Sequence, residues 1–167
     1  MSQPKIITLT TNGEKAFKTG RYEAAAQCYR EAAAWYQEIG DTAKAAEMAN
    51  NLSVALLQSG DFQAALEAAQ GTDLVFAQAG DQRSQALALG NQAAALEALN
   101  RLGEALEMYQ KCSDLLKQAG DAEYRAYVLK SISALQMRTG HHFEGLASMD
   151  AALSNKKQLN LQERFFL

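Results

Sequence analysis

Glycine recurs at intervals of twenty residues along this chain of 167 residues. Asn100 occupies one of the seven positions on this twenty-residue grid, and glycine occupies the other six: Gly20, Gly40, Gly60, Gly80, Gly120 and Gly140. A fixed period of this kind is the sequence signature of a repeat architecture. Four units of forty residues leave only seven residues over, so the sequence predicts a protein built from four repeats.

The residues between the glycines have the spacing of amphipathic helices. Phe62, Ala65, Leu66 and Ala69 recur at intervals of three and four, and the same face returns forty residues later from Leu102. A glycine at the end of a helix supplies the left-handed conformation that closes it. Four of these glycines are followed by an aspartate that can cap the next helix, namely Asp41, Asp61, Asp81 and Asp121. We therefore expect eight helices of about 15–18 residues, with short turns that make neighbours antiparallel.

The forty-residue period shows how these helices pair. One series of equivalent positions is small throughout, with Gly13, Ser53, Ala93 and Ser133. A second small series comprises Ala25, Ala65, Ala105 and Gly145, whereas bulky residues recur at Tyr29, Tyr109 and Met149 with Ala69 as the exception. Small residues on both helices of a pair allow close approach of the two backbones. Each forty-residue unit is thus a helical hairpin, and such hairpins must stack because one alone cannot bury its apolar face.

Composition and charge exclude several classes of protein. Hydrophobic residues make up 48 % of the chain, which favours a folded core over general disorder. No stretch approaches the roughly 20 apolar residues of a membrane span, and the polar residues 1–5 do not resemble a secretory signal. The net charge of −3 gives no basic footprint for nucleic acid. Cys28 and Cys112 form no disulfide framework, so we expect a cytoplasmic location.

No group of residues predicts catalysis, a metal site or a cofactor. His141 and His142 point about 100° apart on a helix, so they cannot share a metal as an i, i+4 pair does. Cys28 and Cys112 are better interpreted as small apolar packing residues than as nucleophiles. The glycines form no phosphate-binding loop. The sequence therefore predicts a protein that is not an enzyme and binds no cofactor.

Three segments resemble the core of the tetratricopeptide repeat, namely residues 51–66, 100–109 and 132–140. The forty-residue form with Gly-Asp between repeats is similar to kinesin light chains and Pins-type scaffolds. The resemblance implies an all-α fold, a right-handed α-solenoid of four antiparallel helix pairs with a C-terminal capping extension. It places one domain over residues 5–155, with repeats at about 5–40, 41–80, 81–120 and 121–160. Residues 1–4 are expected to be disordered, and residues 156–167 to form the extension.

In this family the first helices line a concave surface that binds partners. The resemblance places Asn51 and Asn91 at equivalent positions there, as amides that clamp the main chain of an extended peptide, with Thr11 and Ser131 as their counterparts. The same face would carry Glu47, Asn50, Val54, Gln58, Leu87, Glu97, Tyr127, Lys130, Ser131 and Arg138. The alternative is an ordinary solvated helix face. A groove acidic in its middle and basic near Lys130 and Arg138 suggests a peptide whose acidic end lies toward the fourth repeat.

The C-terminal residues raise a second functional alternative. Leu153, Leu159 and Leu161 can continue a helix that covers the last apolar face. Three large apolar residues end the chain, and they fold back, pair with another chain or mark the cut end of a longer protein: Phe165, Phe166 and Leu167. We therefore expect a non-catalytic scaffold or adaptor that binds a protein or peptide partner on its concave face. The alternative is a self-assembling structural protein that homo-oligomerises, for example as a homodimer, through its C-terminal edge.

Overall fold

The computed structural model describes the backbone of residues 3–165 and the side chains of residues 6–154. All regular secondary structure within this part of the chain is helical. The helices are α1 (Gln3–Lys18), α2 (Tyr22–Glu38), α3 (Thr42–Ser59), α4 (Phe62–Ala69), α5 (Thr72–Gln78), α6 (Gln82–Ala98), α7 (Leu102–Gln118), α8 (Ala122–Arg138) and α9 (His142–Phe165).

These helices form four antiparallel pairs of a right-handed α-solenoid, so the predicted fold class is confirmed. The pairs are α1 with α2, α3 with α4 and α5, α6 with α7, and α8 with α9. The expectation of eight uninterrupted helices is wrong at one place, the second helix of the second repeat. Gly71 adopts a φ of +78° there, in the left-handed region, and this divides the helix into α4 and α5.

The turns between helices follow the glycine grid. All six grid glycines have φ between +72° and +88°, and Asn100 takes the same left-handed region with φ of 59°. Asparagine tolerates this region better than most residues with a side chain, which explains its place on the grid. Four helices begin with an aspartate whose carboxylate accepts a backbone N–H three residues on, as predicted; these are Asp41, Asp61, Asp81 and Asp121.

The small residues of the forty-residue series lie where paired helices touch. The hydroxyl of Ser53 donates to the carbonyl of Ala65 at 2.7 Å, and that of Ser133 donates to the carbonyl of Gly145 at 2.6 Å. In the first repeat, a Cβ added to Gly13 would lie 3.0 Å from the ring of Tyr29. The predicted close approach of the two backbones in each pair is therefore present in these repeats.

The buried apolar side chains form two large clusters and one small one. One large cluster joins the first two repeats and includes Tyr29 and Leu56, and the other joins the last two and includes Tyr109 and Ile132. The small cluster lies between α3, α5 and α6, where Phe76 packs against alanines. Each first helix therefore packs against buried apolar side chains of at least one cluster.

The last helix has an uncovered apolar face. Phe143 is 87 % exposed and Leu146 is 61 % exposed, although both are large apolar residues. The candidate self-association residues Phe166 and Leu167, and the side chain of Phe165, lie outside the described residues. None of the described helices is long and apolar enough to cross a membrane.

Candidate functional site

A cavity of about 290 Å³ opens between α3 and α6 on the face formed by the first helices. It brings together six of the predicted contact residues, which come from the second and third repeats: Glu47, Asn50, Asn51, Val54, Leu87 and Asn91. Phe76, Ser84 and Tyr124 complete its lining. These residues therefore border a concavity between the first helices of the second and third repeats.

Asn51 and Asn91 occupy equivalent positions on α3 and α6, and both are half-buried. Neither side-chain amide forms a hydrogen bond to another group in the described part of the chain. Each amide therefore keeps its donor and acceptor groups available to a bound molecule. Val54, Leu87 and Phe76 supply apolar surface beside these amides. A cavity with this combination can hold an apolar group while the amides orient the polar atoms next to it.

Two tyrosines extend the site toward the fourth repeat. The rings of Tyr124 and Tyr127 stack with their centroids 6.0 Å apart and their planes 21° from parallel. Tyr127 is 63 % exposed, whereas burial raises the pKa of Tyr124 to about 12. A Cβ added to Gly90 would lie 3.5 Å from the hydroxyl oxygen of Tyr124, an ordinary van der Waals contact. The site therefore has an exposed aromatic surface backed by a partly buried phenol.

The predicted charges near the end of the groove are partly paired within the protein. Arg138 donates to the carboxylate of Glu97 at 2.8 Å, and the hydroxyl of Tyr109 lies 3.4 Å from the same carboxylate. Burial raises the pKa of Tyr109, with the charge of Glu97 as a further cause, and Ser131 is a hydrogen-bond partner of this phenol. Because Glu97 and Arg138 pair with each other, neither is as available to a charged ligand as an unpaired residue would be. Lys130 is exposed on α8.

Two further predicted contact residues differ in place, since Gln58 lies outside the cavity and Glu47 lies at its rim. Gln58 is exposed near the C-terminal end of α3. Glu47 stands at the cavity rim, with one carboxylate oxygen 3.8 Å from the ammonium of Lys44. Both of those side chains are more than half exposed, so this ion pair constrains Glu47 weakly. Glu47 is the one carboxylate residue in the lining of the cavity.

Sequence reasoning missed three residues of the cavity: Phe76, Ser84 and Tyr124. Ser84 and Tyr124 are equivalent to each other in the forty-residue period and lie in the first turns of α6 and α8. That period could have identified them, because the first turn of each first helix borders the preceding repeat. Phe76 lies on a second helix, whereas the prediction considered only the first helices.

The residues considered for catalysis do not form a reactive group. Cys112 is fully buried, and burial raises the pKa of its thiol to about 12. Burial also raises the pKa of Cys28. His141 and His142 are exposed, and the ring of His141 lies 3.0 Å from the hydroxyl of Thr139. Among the described residues, no three potential metal ligands come together.

A larger cleft of about 530 Å³ lies on the other side of α3, between α2 and the interrupted helix. Alanine occupies six of its fifteen lining positions, and Arg30, Gln37, Glu67 and Gln70 are its long polar side chains. These polar side chains belong to second helices and not to the first helices that form the predicted binding face. We therefore take the cavity between α3 and α6 as the candidate site, because it combines unpaired amides with apolar surface.

Comparisons with known proteins agree with this fold. Residues 6–70 match the tetratricopeptide repeat family. No curated protein sequence matches the chain. BtubC (BKLC) from P. vanneervenii is similar with a TM-score of 0.83 and 18 % identity, over 93 % of this chain and 64 % of BtubC. The present chain therefore spans less than two thirds of the length of BtubC.

Two further solved structures have the same arrangement of helices. The MamA RS-1 ArsTM double mutant has a TM-score of 0.71 and 15 % identity, over 95 % of this chain and 79 % of MamA. The nearly identical TPR-like repeats of a putative kinesin light chain from Podosopora anserina have a TM-score of 0.59 and 15 % identity, over 99 % and 94 % of the two chains. At these identities the likeness concerns the fold alone. Residues 6–70 are therefore recognised as tetratricopeptide repeats by sequence, and the chain as a whole has the tetratricopeptide solenoid fold.

Proposed function

We propose that this protein is a non-catalytic scaffold that holds an extended peptide segment of a partner protein on its concave face. The tetratricopeptide repeats, together with structural neighbours such as MamA and the putative kinesin light chain, suggest a protein–protein interaction scaffold. The peptide would lie at the cavity between α3 and α6, whose lining combines amides with apolar surface. Two unpaired cysteines fit work in a reducing compartment such as the cytoplasm.

One observation carries the proposal: Asn51 and Asn91 flank an apolar cavity and have no hydrogen-bond partner among the described residues. An extended peptide has one N–H and one C=O on most residues, and a side-chain amide can pair with both. Two such amides on successive repeats would fix the direction and register of the peptide. The apolar lining would then accept one side chain of the peptide.

The rigid repeats explain how such a site binds without catalysis. Stacked hairpins hold Asn51 and Asn91 in place before the partner arrives, so binding does not also have to order the receptor. Glu47 gives the cavity rim a negative charge, and Lys130 lies toward the fourth repeat. We therefore propose that an acidic end of the bound peptide lies toward Lys130, with less contribution from Arg138 because Glu97 pairs with it.

A displayed library of random peptides, selected on the immobilised protein, tests this proposal. Peptides selected on the wild type are expected to lose about tenfold or more in affinity on the Asn51→Ala/Asn91→Ala variant, since each lost hydrogen bond is worth about 1 kcal/mol. Gln110→Ala, which removes an exposed amide from α7, is the matched control and should bind as the wild type does. Equal binding by all three proteins would contradict the amide clamp.

The uncovered face of α9 supports a second candidate function, self-assembly through the C-terminal edge. Leu146 and Met149 are exposed, whereas the equivalent Ala26 and Tyr29 of the first repeat are buried under the following repeat. Phe143 is also exposed, where the other repeats carry Glu23, Gln63 and Gly103. Sedimentation of the wild type and of Phe143→Ser/Leu146→Ser tests this candidate. A wild-type dimer that the double variant converts to a monomer would support it, and two monomers would contradict it.

A further inference from the structure

The second helix of repeat 2 is interrupted next to the candidate site. Gln70 is extended, with φ of −61° and ψ of 126°, and Gly71 is left-handed, with φ of +78°. The residues equivalent to Gly71 are Glu31 in α2 and Lys111 in α7, and both of those helices are uninterrupted. A Cβ added to Gly71 would meet nothing within 4 Å, so the glycine is needed for its backbone conformation and not for space.

The interruption is held by side chains from two repeats. An uninterrupted helix would bring the Asp73 amide to the carbonyl of Ala69. That carbonyl instead lies 2.7 Å from the hydroxyl of Thr72 and accepts from the amide nitrogen of Gln92 at 3.1 Å. The same nitrogen of Gln92 donates to the carboxylate of Asp73 at 2.8 Å. Gln92, on α6, therefore ties the third repeat to both sides of the interruption.

A second connection runs from the interruption to α3. The hydroxyl of Thr72 lies 2.9 Å from the side-chain amide of Asn50, and both residues are buried. Asn50 precedes Asn51, and Gln92 follows Asn91. Each amide of the candidate clamp is thus adjacent in sequence to a residue that is bonded to the interruption. The hydrogen bonds of Thr72 and Gln92 consequently fix α3 and α6 relative to one another through the end of α4.

The fifth residue after Gly71 lines the cavity. On α5 the ring of Phe76 lies between α3 and α6, where it packs against Ala46 and Ala88 and forms part of the cavity wall. Alanine on both helices leaves space for this ring. The equivalent residues of the uninterrupted α2 and α7 are Tyr36 and Leu116.

We propose that the interruption at Gln70–Gly71 is a positioning device for the peptide site. Thr72 and Gln92 are the positioning residues that set the separation of Asn51 and Asn91, and Phe76 is the residue that limits the size of the bound side chain. This inference rests on the proposed peptide-binding function, whose amide residues it leaves unchanged. It assigns roles in specificity to Thr72 and Phe76, which lie on a second helix and do not belong to the concave face itself.

The test uses a peptide selected from the displayed library on the wild type, and measures its affinity by calorimetry. Thr72→Val removes the hydroxyl at nearly constant volume and should weaken binding about fivefold to tenfold, whereas Thr72→Ser should restore it to within about twofold. A residue that acts only on stability would lower the melting temperature and leave the affinity of the folded protein unchanged, so both quantities are measured.

The glycines supply a second, independent pair of variants. Gly71→Ala either restores a continuous helix or forces an alanine into the left-handed region. Either outcome would disturb the hydrogen bonds of the Ala69 carbonyl or the position of the Phe76 ring. Gly103→Ala, at an open position inside α7, is the matched control. We expect weaker peptide binding in Gly71→Ala only. Unchanged affinity in both Thr72→Val and Gly71→Ala would overturn the inference, while the loss of binding in Asn51→Ala/Asn91→Ala would still support the proposed function.

The size limit set by Phe76 is tested by selection. Phe76→Leu enlarges the cavity and should select peptides with a larger apolar residue from the same library than the wild type selects. Identical selected sequences on both proteins would contradict this part of the inference.

Discussion

The second helices of repeats 2 and 3 occupy equivalent places and form different interfaces with the repeat that follows. In repeat 3, α7 is uninterrupted, and Tyr109 packs in one apolar cluster with Ile132 of the next repeat. In repeat 2, Ala69 replaces the tyrosine, the helix is interrupted, and Gln92 of the next repeat bonds to the freed carbonyl. One repeat pattern thus supports an apolar interface and a polar one, and the polar one lies beside the candidate site.

Ile132 and Gln92 are equivalent residues of the two interfaces, and placing the residue type of one in the other should change stability most at the apolar interface. Ile132→Gln places an amide without a partner among buried apolar side chains, and we expect it to lower the free energy of unfolding by about 3 kcal/mol. Urea unfolding followed by circular dichroism measures this change. Lys130→Gln, at an exposed position on the same helix, is the control. A loss no larger than that of the control would mean that the two interfaces tolerate polar residues equally.

The reverse exchange, Gln92→Ile, should lower the free energy of unfolding by a smaller amount. It removes the Gln92 donor from the Ala69 carbonyl and the Asp73 carboxylate, while the carbonyl keeps the hydroxyl of Thr72. Each lost hydrogen bond costs about 0.5–1.5 kcal/mol, from which the added apolar contact subtracts. We therefore expect a net loss of about 1 kcal/mol in the same unfolding experiment. Gln82→Ile, at an exposed position of α6, controls for added apolar surface. A variant more stable than the wild type would show that the polar interface serves no structural need.

Alanine substitutions at two glycines should change stability in opposite directions. Gly71→Ala forces a side chain into the left-handed region or removes the interruption, and we expect a loss of about 1 kcal/mol. Gly103→Ala improves helix propensity inside α7 and should add about 0.5–1 kcal/mol. Both positions are open to an added Cβ, so steric contact does not confuse the result. Thermal unfolding gives both signs, and equal signs would contradict the distinction between the two helices.

The smallest effect is expected for the ion pair between repeats 3 and 4. Arg138 and Glu97 have no charged counterparts one repeat earlier, where Leu57 and Ala98 stand. The arginine side chain is 49 % exposed, so solvent screens the pair and Arg138→Gln should cost about 0.5 kcal/mol at most. The loss should shrink further at high salt. A loss of several times this size would show that the pair is a main determinant of the interface.

Local chemistry made most of the fold predictable from the sequence. Left-handed glycines and capping aspartates depend on neighbouring residues only, and the period repeats them until the helix pairs are defined. The positions of Asn51 and Asn91 also follow from the period, since equivalent residues of successive first helices share a face. The resemblance to a known family supplied the one element that the period lacks, the assignment of that face as concave.

The remaining features depend on contacts between repeats, which the period does not encode. Ala69 was visible as an exception in a bulky series, but its carbonyl bonds to Gln92, 23 residues away, and this contact requires the stacked solenoid. The pairing of Arg138 with Glu97 spans 41 residues, and it lowers the predicted basic character of the groove end. The entry of Phe76 into the cavity depends on how α5 packs between α3 and α6, which no local pattern specifies.

The left-handed turns have a consequence for how such a chain can recombine. Deleting residues 81–120 would join Gly80 to Asp121 and so recreate the Gly-Asp junction that the protein already uses. The shortened chain would nevertheless bring α8 against α4 and α5, with Ile132 in the place of Gln92. No amide would then reach the Ala69 carbonyl from the following repeat. The Gly-Asp junctions therefore permit duplication or loss of a repeat. The need for complementary interfaces between the repeats that become neighbours restricts it.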